Sequence, residues 1–281
     1  MSRATPVSLA AIRLAAILFV CLGGSACAQI ALGESAPSIA PAAATAAEPY
    51  EPRSGQQGKD VVWVPTPQVV VDKMMEIASV TAQDVVIDLG SGDGRTVITA
   101  AKIGARALGI EYNPDMVAYS QRQAVAAGLT GRARFMKADI FETSFDEATV
   151  LTLFLLPELN LKLRPKILEL KPGTRVVSNS FNMAEWKPDA EADLHGQPGC
   201  NVSFCRVLHW VVPQQVSGTY QVTQGELTLV QEFQMLTGTL KQGLTTFNLT
   251  GRVFGEDVLL SAGSRQYRAR LTDGKLVLQE R

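Results

Sequence analysis

Histidine and cysteine are scarce in this chain, and neither sign of charge prevails. Its 281 residues hold 2 His and 4 Cys. Lys and Arg number 26 against 27 Asp and Glu, a net charge of −1. Without a basic surplus or a run of like charge, no nucleic-acid partner is expected. Long apolar runs are missing too. Leu14 to Gly24 falls short of the about 20 residues that span a bilayer, so no transmembrane span is expected in the mature chain. Both His and two of the four Cys gather as His195, Cys200, Cys205 and His209. The largely apolar stretch Phe204 to Val212 predicts a strand, which sets Cys205 and His209 ~13 Å apart on one face at ~3.3 Å per residue. One zinc ion cannot bridge that, and no metal is expected. A disulfide or two buried thiols fits Cys200 and Cys205 better, and pairing is expected on export.

What is present starts with a leader. Arg3 and Arg13 precede the apolar run, and Ala26-Cys27-Ala28 matches an A-x-A cleavage site. Residues 1–28 therefore read as a secretory signal peptide, with cleavage after Ala28 and a periplasmic or cell-envelope location. A lipid anchor on Cys27 is the weaker reading. Residues 29–60, rich in Ala, Pro, Ser and Gly, read as a flexible linker.

From 61 to 213, short apolar runs alternate with helical patterns. Thr66-Pro67 is expected to start a helix, Thr66 as its N-cap. Strands are expected near 84–89, 107–110, 134–139, 149–156 and 174–181, with helices from Arg95 to Ile103, from Asn113-Pro114 to Gly128, and from Leu161 to Leu170. This predicts right-handed βαβ units and a doubly wound, mostly parallel Rossmann-like sheet. Residues 214–281 change texture. Strand-like stretches recur between glycines, predicting a small antiparallel β module with no legible chemistry and no convincing repeat.

The strongest chemical signal is Asp88-Leu89-Gly90-Ser91-Gly92-Asp93-Gly94, where the first parallel strand turns into a helix. Open α/β sheets bind ligands at such turns. Arg95 stands where a dinucleotide fingerprint needs its third glycine. The pattern acid-x-G-x-G-x-G instead resembles motif I of class I S-adenosylmethionine (SAM)-dependent methyltransferases. That resemblance implies SAM as cofactor, held by Asp88, Gly90, Gly92 and Gly94. It further implies that Glu111 holds the ribose hydroxyls and Asp139 the adenine amino group, with Ile140 against the ring. Three acids suit a cationic, hydroxyl-rich ligand and repel a pyrophosphate.

Flanking segments narrow the resemblance. Val64-Pro65-Thr66-Pro67, the run Ala148 to Asn160, and Leu170 to Ser178 look like the branch that includes the mitochondrial lysine methyltransferases of the ATP synthase c-subunit and the adenine nucleotide translocase. The acceptor it implies is a protein lysine or another amine. Pro157-Glu158-Leu159-Asn160 replaces the Asn/Asp-Pro-Pro-aromatic motif of nucleobase and amide methyltransferases. Glu158 and Asn160 are the candidate catalytic residues, with Thr66 completing the acceptor mouth; the plainer reading is that both start the next helix. Trp63, Trp186, Tyr112 and Phe181 are candidate substrate or adenine contacts, with core packing the plainer reading of each. The rival function is an exported, non-catalytic SAM-fold binding module that interacts through its β module.

Overall fold

The computed structural model describes residues 50–281. The expected leader and residues 29–49 of the expected linker lie outside the described residues. The first domain runs α1 (Gln68–Ile77), β1 (Val85–Leu89), α2 (Arg95–Ile103), β2 (Arg106–Glu111), α3 (Pro114–Ala126), β3 (Ala133–Lys137), β4 (Val150–Leu153), α4 (Pro157–Leu168), β5 (Arg175–Asn179), β6 (Ala190–Asp193) and β7 (Arg206–Val211). Its strands form one sheet in the order β3-β2-β1-β4-β5-β7-β6. The first five are parallel, and β7 runs antiparallel to both β5 and β6. Every residue of β1 is buried, as a central parallel strand covered on both faces must be. The chain starts at β1, winds out to β3, then returns to β4 on the other side. The crevice between β1 and β4 is the topological switch point, where open sheets of this kind bind ligands.

Three expectations shift. Residues 50–63 are folded: Gly55 N–H donates to Trp63 O at 2.8 Å and Trp63 N–H to Gln56 O at 2.9 Å, closing a small hairpin. Arg122 of α3 ties it down through Tyr50 O at 2.7 Å. The fold thus includes Tyr50 onward rather than starting near Val61. The N-cap of α1 is Pro67, whose ψ of 141° is extended, and no side chain caps it; Thr66 is buried one residue before. Asn113 caps α3 as expected, accepting from Asp115 N–H at 2.9 Å. α4 begins at Pro157, four residues before the expected Leu161, because Pro at N1 is pre-set for a helix.

Seven more strands follow: β8 (Gly218–Val222), β9 (Gly225–Glu232), β10 (Met235–Gln242), β11 (Thr245–Phe254), β12 (Asp257–Ala262), β13 (Arg265–Thr272) and β14 (Lys275–Glu280). They pair strictly in sequence order, all antiparallel. Each of the hairpins closes through two residues, with turns such as Gly243-Leu244 and Asp273-Gly274. Asp273 and Gly274 both take positive φ, 50° and 73°, the type I′ geometry that suits strand twist. The module is thus a hairpin array recurring about every ten residues, a regularity that composition alone hid. Its inner face alternates Leu227, Leu229, Leu236, Leu240, Leu249, Leu260 and Leu278, all buried. A Cβ on inner-face Gly238 would meet Thr228 O at 2.0 Å, so glycine there lets the sheet coil. Gln224 reaches from the β8–β9 turn to Leu278 O on β14 at 3.1 Å, bringing the two ends of the sheet together.

Candidate active site

A cavity of about 230 Å³ opens at the carboxyl ends of the parallel strands. Of the residues expected to form the site, Thr66, Asp88, Gly90, Gly92, Glu111, Asp139 and Ile140 line it. Gly94 does not. It caps α2 with φ 81°, and a Cβ there would sit 2.7 Å from Phe135, so its role is packing. Gly92 has φ 53°, and a Cβ would meet Trp63 Nε1 at 2.3 Å. The glycine turn is therefore bare enough for the hairpin's indole to lie against it.

The three acids are positioned differently. Asp88, on β1, accepts from Thr152 Oγ1 on β4 at 2.6 Å. Burial, reinforced by the nearby Glu111 and Asp93 charges, pushes its pKa from 3.8 up to about 7. Glu111 ends β2. Its two oxygens accept from Gly92 N–H at 3.0 Å and Asn113 N–H at 2.8 Å, so the backbone aims the carboxylate. Asp139 follows β3, accepts from Phe141 N–H at 2.9 Å, and is paired with Lys59 of the hairpin. That Lys59 hydrogen bond holds its carboxyl below the usual range. Lys59 Nζ also lies 4.8 Å from the centre of the Tyr112 ring. The residues fit a cationic ligand bearing hydroxyls: three carboxylates converge on one wall, and the buried Ser91 Oγ has no hydrogen-bond partner.

The other wall is aromatic. Phe154 follows β4, Phe181 follows β5, and Phe204 precedes β7; all three line the cavity. Their ring centres are 5.9, 5.4 and 5.6 Å apart. Because β7 runs antiparallel, its start lies at the same sheet edge as the ends of β4 and β5. Leu155, Leu156 and Leu159 complete this apolar side.

The candidate catalytic pair lies outside this space. Neither Glu158 nor Asn160 lines the cavity. Asn160 is fully buried in α4; its Nδ2 donates to Phe181 O and Asn182 O of the loop after β5 at 3.2 and 3.3 Å, and its Oδ1 has no hydrogen-bond partner. Glu158 is exposed in the first turn of α4, where its charge complements the helix dipole. The early start of α4 turns both away. Of the four candidate aromatic contacts, Trp63, Tyr112 and Phe181 line the cavity, whereas Trp186 is core. Phe154 and Phe204 escaped the sequence reading, although Phe154 stands directly after an apolar strand, where rim residues fall. Beside the site, Cys200 and Cys205 are joined by a disulfide with Cα atoms 6.0 Å apart.

Comparisons with known proteins agree with this architecture. The ANTKMT methyltransferase domain family matches residues 88–190. A protein-lysine N-methyltransferase of Saccharolobus islandicus (strain REY15A) is 48% identical over 131 residues, covering 46% of this chain and 81% of that protein. The ATP synthase c-subunit lysine N-methyltransferase of Rattus norvegicus is 34% identical over 154 residues, covering 54% of this chain and 65% of the rat protein. Among solved structures, an RNA methyltransferase from Salinibacter ruber in complex with S-adenosyl-L-homocysteine is 48% identical with a TM-score of 0.51, covering 54% of this chain and 96% of that chain.

Proposed function

The chain belongs to the family of SAM-dependent protein-lysine N-methyltransferases that the ANTKMT methyltransferase domain defines, and on that premise we propose that it methylates the Nε of a lysine in another protein. The observation that carries this reading is the division of one cavity between a carboxylate wall, from β3, β2 and β1, and an apolar aromatic wall, from β4, β5 and β7.

SAM supplies an electrophilic methyl group on a sulfonium that leaves as a neutral thioether. The chain's own residues bind and orient. Glu111, locked by two backbone amides, offers its remaining lone pairs to ribose hydroxyls. Asp139 would accept from the adenine amino group once Lys59 yields, and Ile140 would pack on the ring. Asp88 adds a carboxylate whose ionisation a bound cation favours. The aromatic side carries no titratable group among Phe154, Leu155, Leu156, Leu159, Phe181 and Phe204. A lysine entering there meets apolar and aromatic surface first. Desolvation lowers the ammonium pKa, and the proton leaves to water before attack, since only the neutral amine has a free pair. In-line positioning then supplies much of the rate.

The same proposal places the chain in an oxidising, extracytosolic compartment, on the leader pattern and the Cys200–Cys205 disulfide. A cleaved leader is expected to end at Ala28, which intact-mass spectrometry of envelope-extracted protein measures. The acceptor is tested by labelling a cell-envelope extract with tritiated SAM, comparing wild type with Asp88→Ala, and hydrolysing the labelled material. Label in methyl-lysine that is lost in the variant is expected. Label in RNA, released by nuclease, would instead match the Salinibacter ruber protein's description and overturn the lysine assignment.

A further inference from the structure

The three cavity phenylalanines do not belong to the hydrophobic core. Neither buried cluster of the catalytic domain includes Phe154, Phe181 or Phe204. They pack on one another, and each remains partly exposed toward the cavity. Open aromatic faces inside a cleft mark a place that something apolar or cationic occupies.

We infer that Phe154, Phe181 and Phe204 form the slot for the acceptor's lysine side chain, and that the Cys200–Cys205 disulfide is the clasp that fixes Phe204 in it. The inference rests on the lysine reading above and goes beyond it by assigning the subsite. Four methylenes match apolar ring surface, which rewards burial at ~0.8 kcal/mol per CH₂. An amine or alkylated ammonium is satisfied by ring faces without a carboxylate. An amide would leave its donors and acceptor unpaired there, at the cost of a buried unsatisfied group, so the slot selects lysine over asparagine and glutamine.

The clasp follows from chain geometry. Phe204 lies within the six-residue loop that the disulfide closes, directly before Cys205. Both sulfur-bearing residues are buried in the core beneath α1, with Met74 and Met75 in the same cluster. Leu194 N–H bonds Cys205 O at 2.8 Å, and His195 Nε2 lies 3.2 Å from Ser203 O. The loop before β7 has no helix or strand of its own between Leu194 and Arg206. The disulfide is therefore the covalent element that holds Phe204 against Phe154 and Phe181.

The test uses the full chain, with tritiated SAM and the same envelope extract as acceptor pool, scoring methyl-lysine against extract concentration. S-adenosyl-L-homocysteine affinity is read in parallel by calorimetry. Phe204→Leu and, as a second variant, Phe154→Leu are expected to raise the apparent KM for the extract about tenfold, or 1.4 kcal/mol. Their S-adenosyl-L-homocysteine affinity should stay within about twofold of wild type, which also shows that they fold. Phe204→Tyr, which keeps the ring, should restore the KM. Cys200→Ser/Cys205→Ser, and wild type reduced with dithiothreitol, should reproduce the Phe204→Leu rise. Wild-type KM in both leucine variants overturns the slot, and wild-type KM in the double serine variant overturns the clasp. Absence of methyl-lysine with wild-type enzyme overturns the lysine reading itself, a result distinct from either.

Discussion

Along a single sheet edge, β3, β2 and β1 lead into carboxylates, while β4, β5 and β7 meet in rings. The carboxylates are held locally: Gly92 and Asn113 amides aim Glu111, and Phe141 N–H anchors Asp139. The rings are held by each other across the fold, and one of them by a disulfide loop. A half assembled by turns is rigid wherever its turns form. A half assembled by distant segments depends on the whole domain being in place. The first suits an invariant ligand, the methyl donor; the second suits a site that must match one particular acceptor.

The largest effect expected on the carboxylate half is from Glu111→Ala. It removes a charged acceptor and strands the Gly92 and Asn113 amides, so SAM should bind more weakly by about 1.5–3 kcal/mol. Calorimetry checks it, and an equal loss from Phe204→Leu would erase the distinction between the walls.

A smaller effect comes from pH. Because burial holds Asp88 up at about 7 rather than 3.8, its ionised form costs the ligand-free fold stability. That cost sets in as pH rises above ~4 and is complete above ~7. A bound cation reverses the bias. SAM affinity should therefore climb from pH 6 toward 8, by at most about tenfold per pH unit, and level off. Asp88→Asn should flatten the profile and stabilise the ligand-free protein more at pH 8 than at pH 5. A profile equally steep in Asp88→Asn would assign the titration elsewhere.

The carboxylate half was legible because spacing carried it. An apolar strand followed by a glycine turn fixed Asp88, and the next two strand ends fell at Glu111 and near Asp139. The aromatic half was legible only at Phe181, which stands at the end of the expected fifth strand. Phe154, Phe181 and Phe204 are spread over some fifty residues, and only the antiparallel insertion of β7 between β5 and β6 brings the last of them to the rim. Glu158 and Asn160 fall away from the cavity because Pro157 opens α4 a turn earlier than the apolar pattern suggests. Lys59 went unread because a Gly- and Gln-rich stretch folds here through contacts distant in sequence, with Lys59 against Asp139 and Trp63 against Gly92.

The smallest effect concerns that hairpin. Lys59 occupies the carboxylate that adenine would use, so Lys59→Met should tighten SAM slightly, by less than about fivefold, the scale of an exposed ion pair. Equilibrium dialysis is sensitive enough. Weaker binding would make Lys59 a ligand contact rather than a competitor.

The β9–β10 turn has a consequence for spectroscopy. Phe233, at φ 52°, stacks on Trp186 with centres 6.3 Å apart. Trp186 in turn abuts Trp210 at 6.0 Å, and its backbone carbonyl accepts the Trp210 indole N–H at 2.8 Å. Gln234 donates to Lys187 O at 2.7 Å, and Arg252 pairs with Asp189. The seven-strand meander contains no tryptophan, yet its Phe233 covers Trp186, which in turn abuts Trp210. Loosening of the meander, even while the Rossmann-like sheet stays intact, should shift tryptophan emission to the red and open the indoles to acrylamide quenching. A silent part of the molecule is thereby made visible through its neighbour's fluorescence.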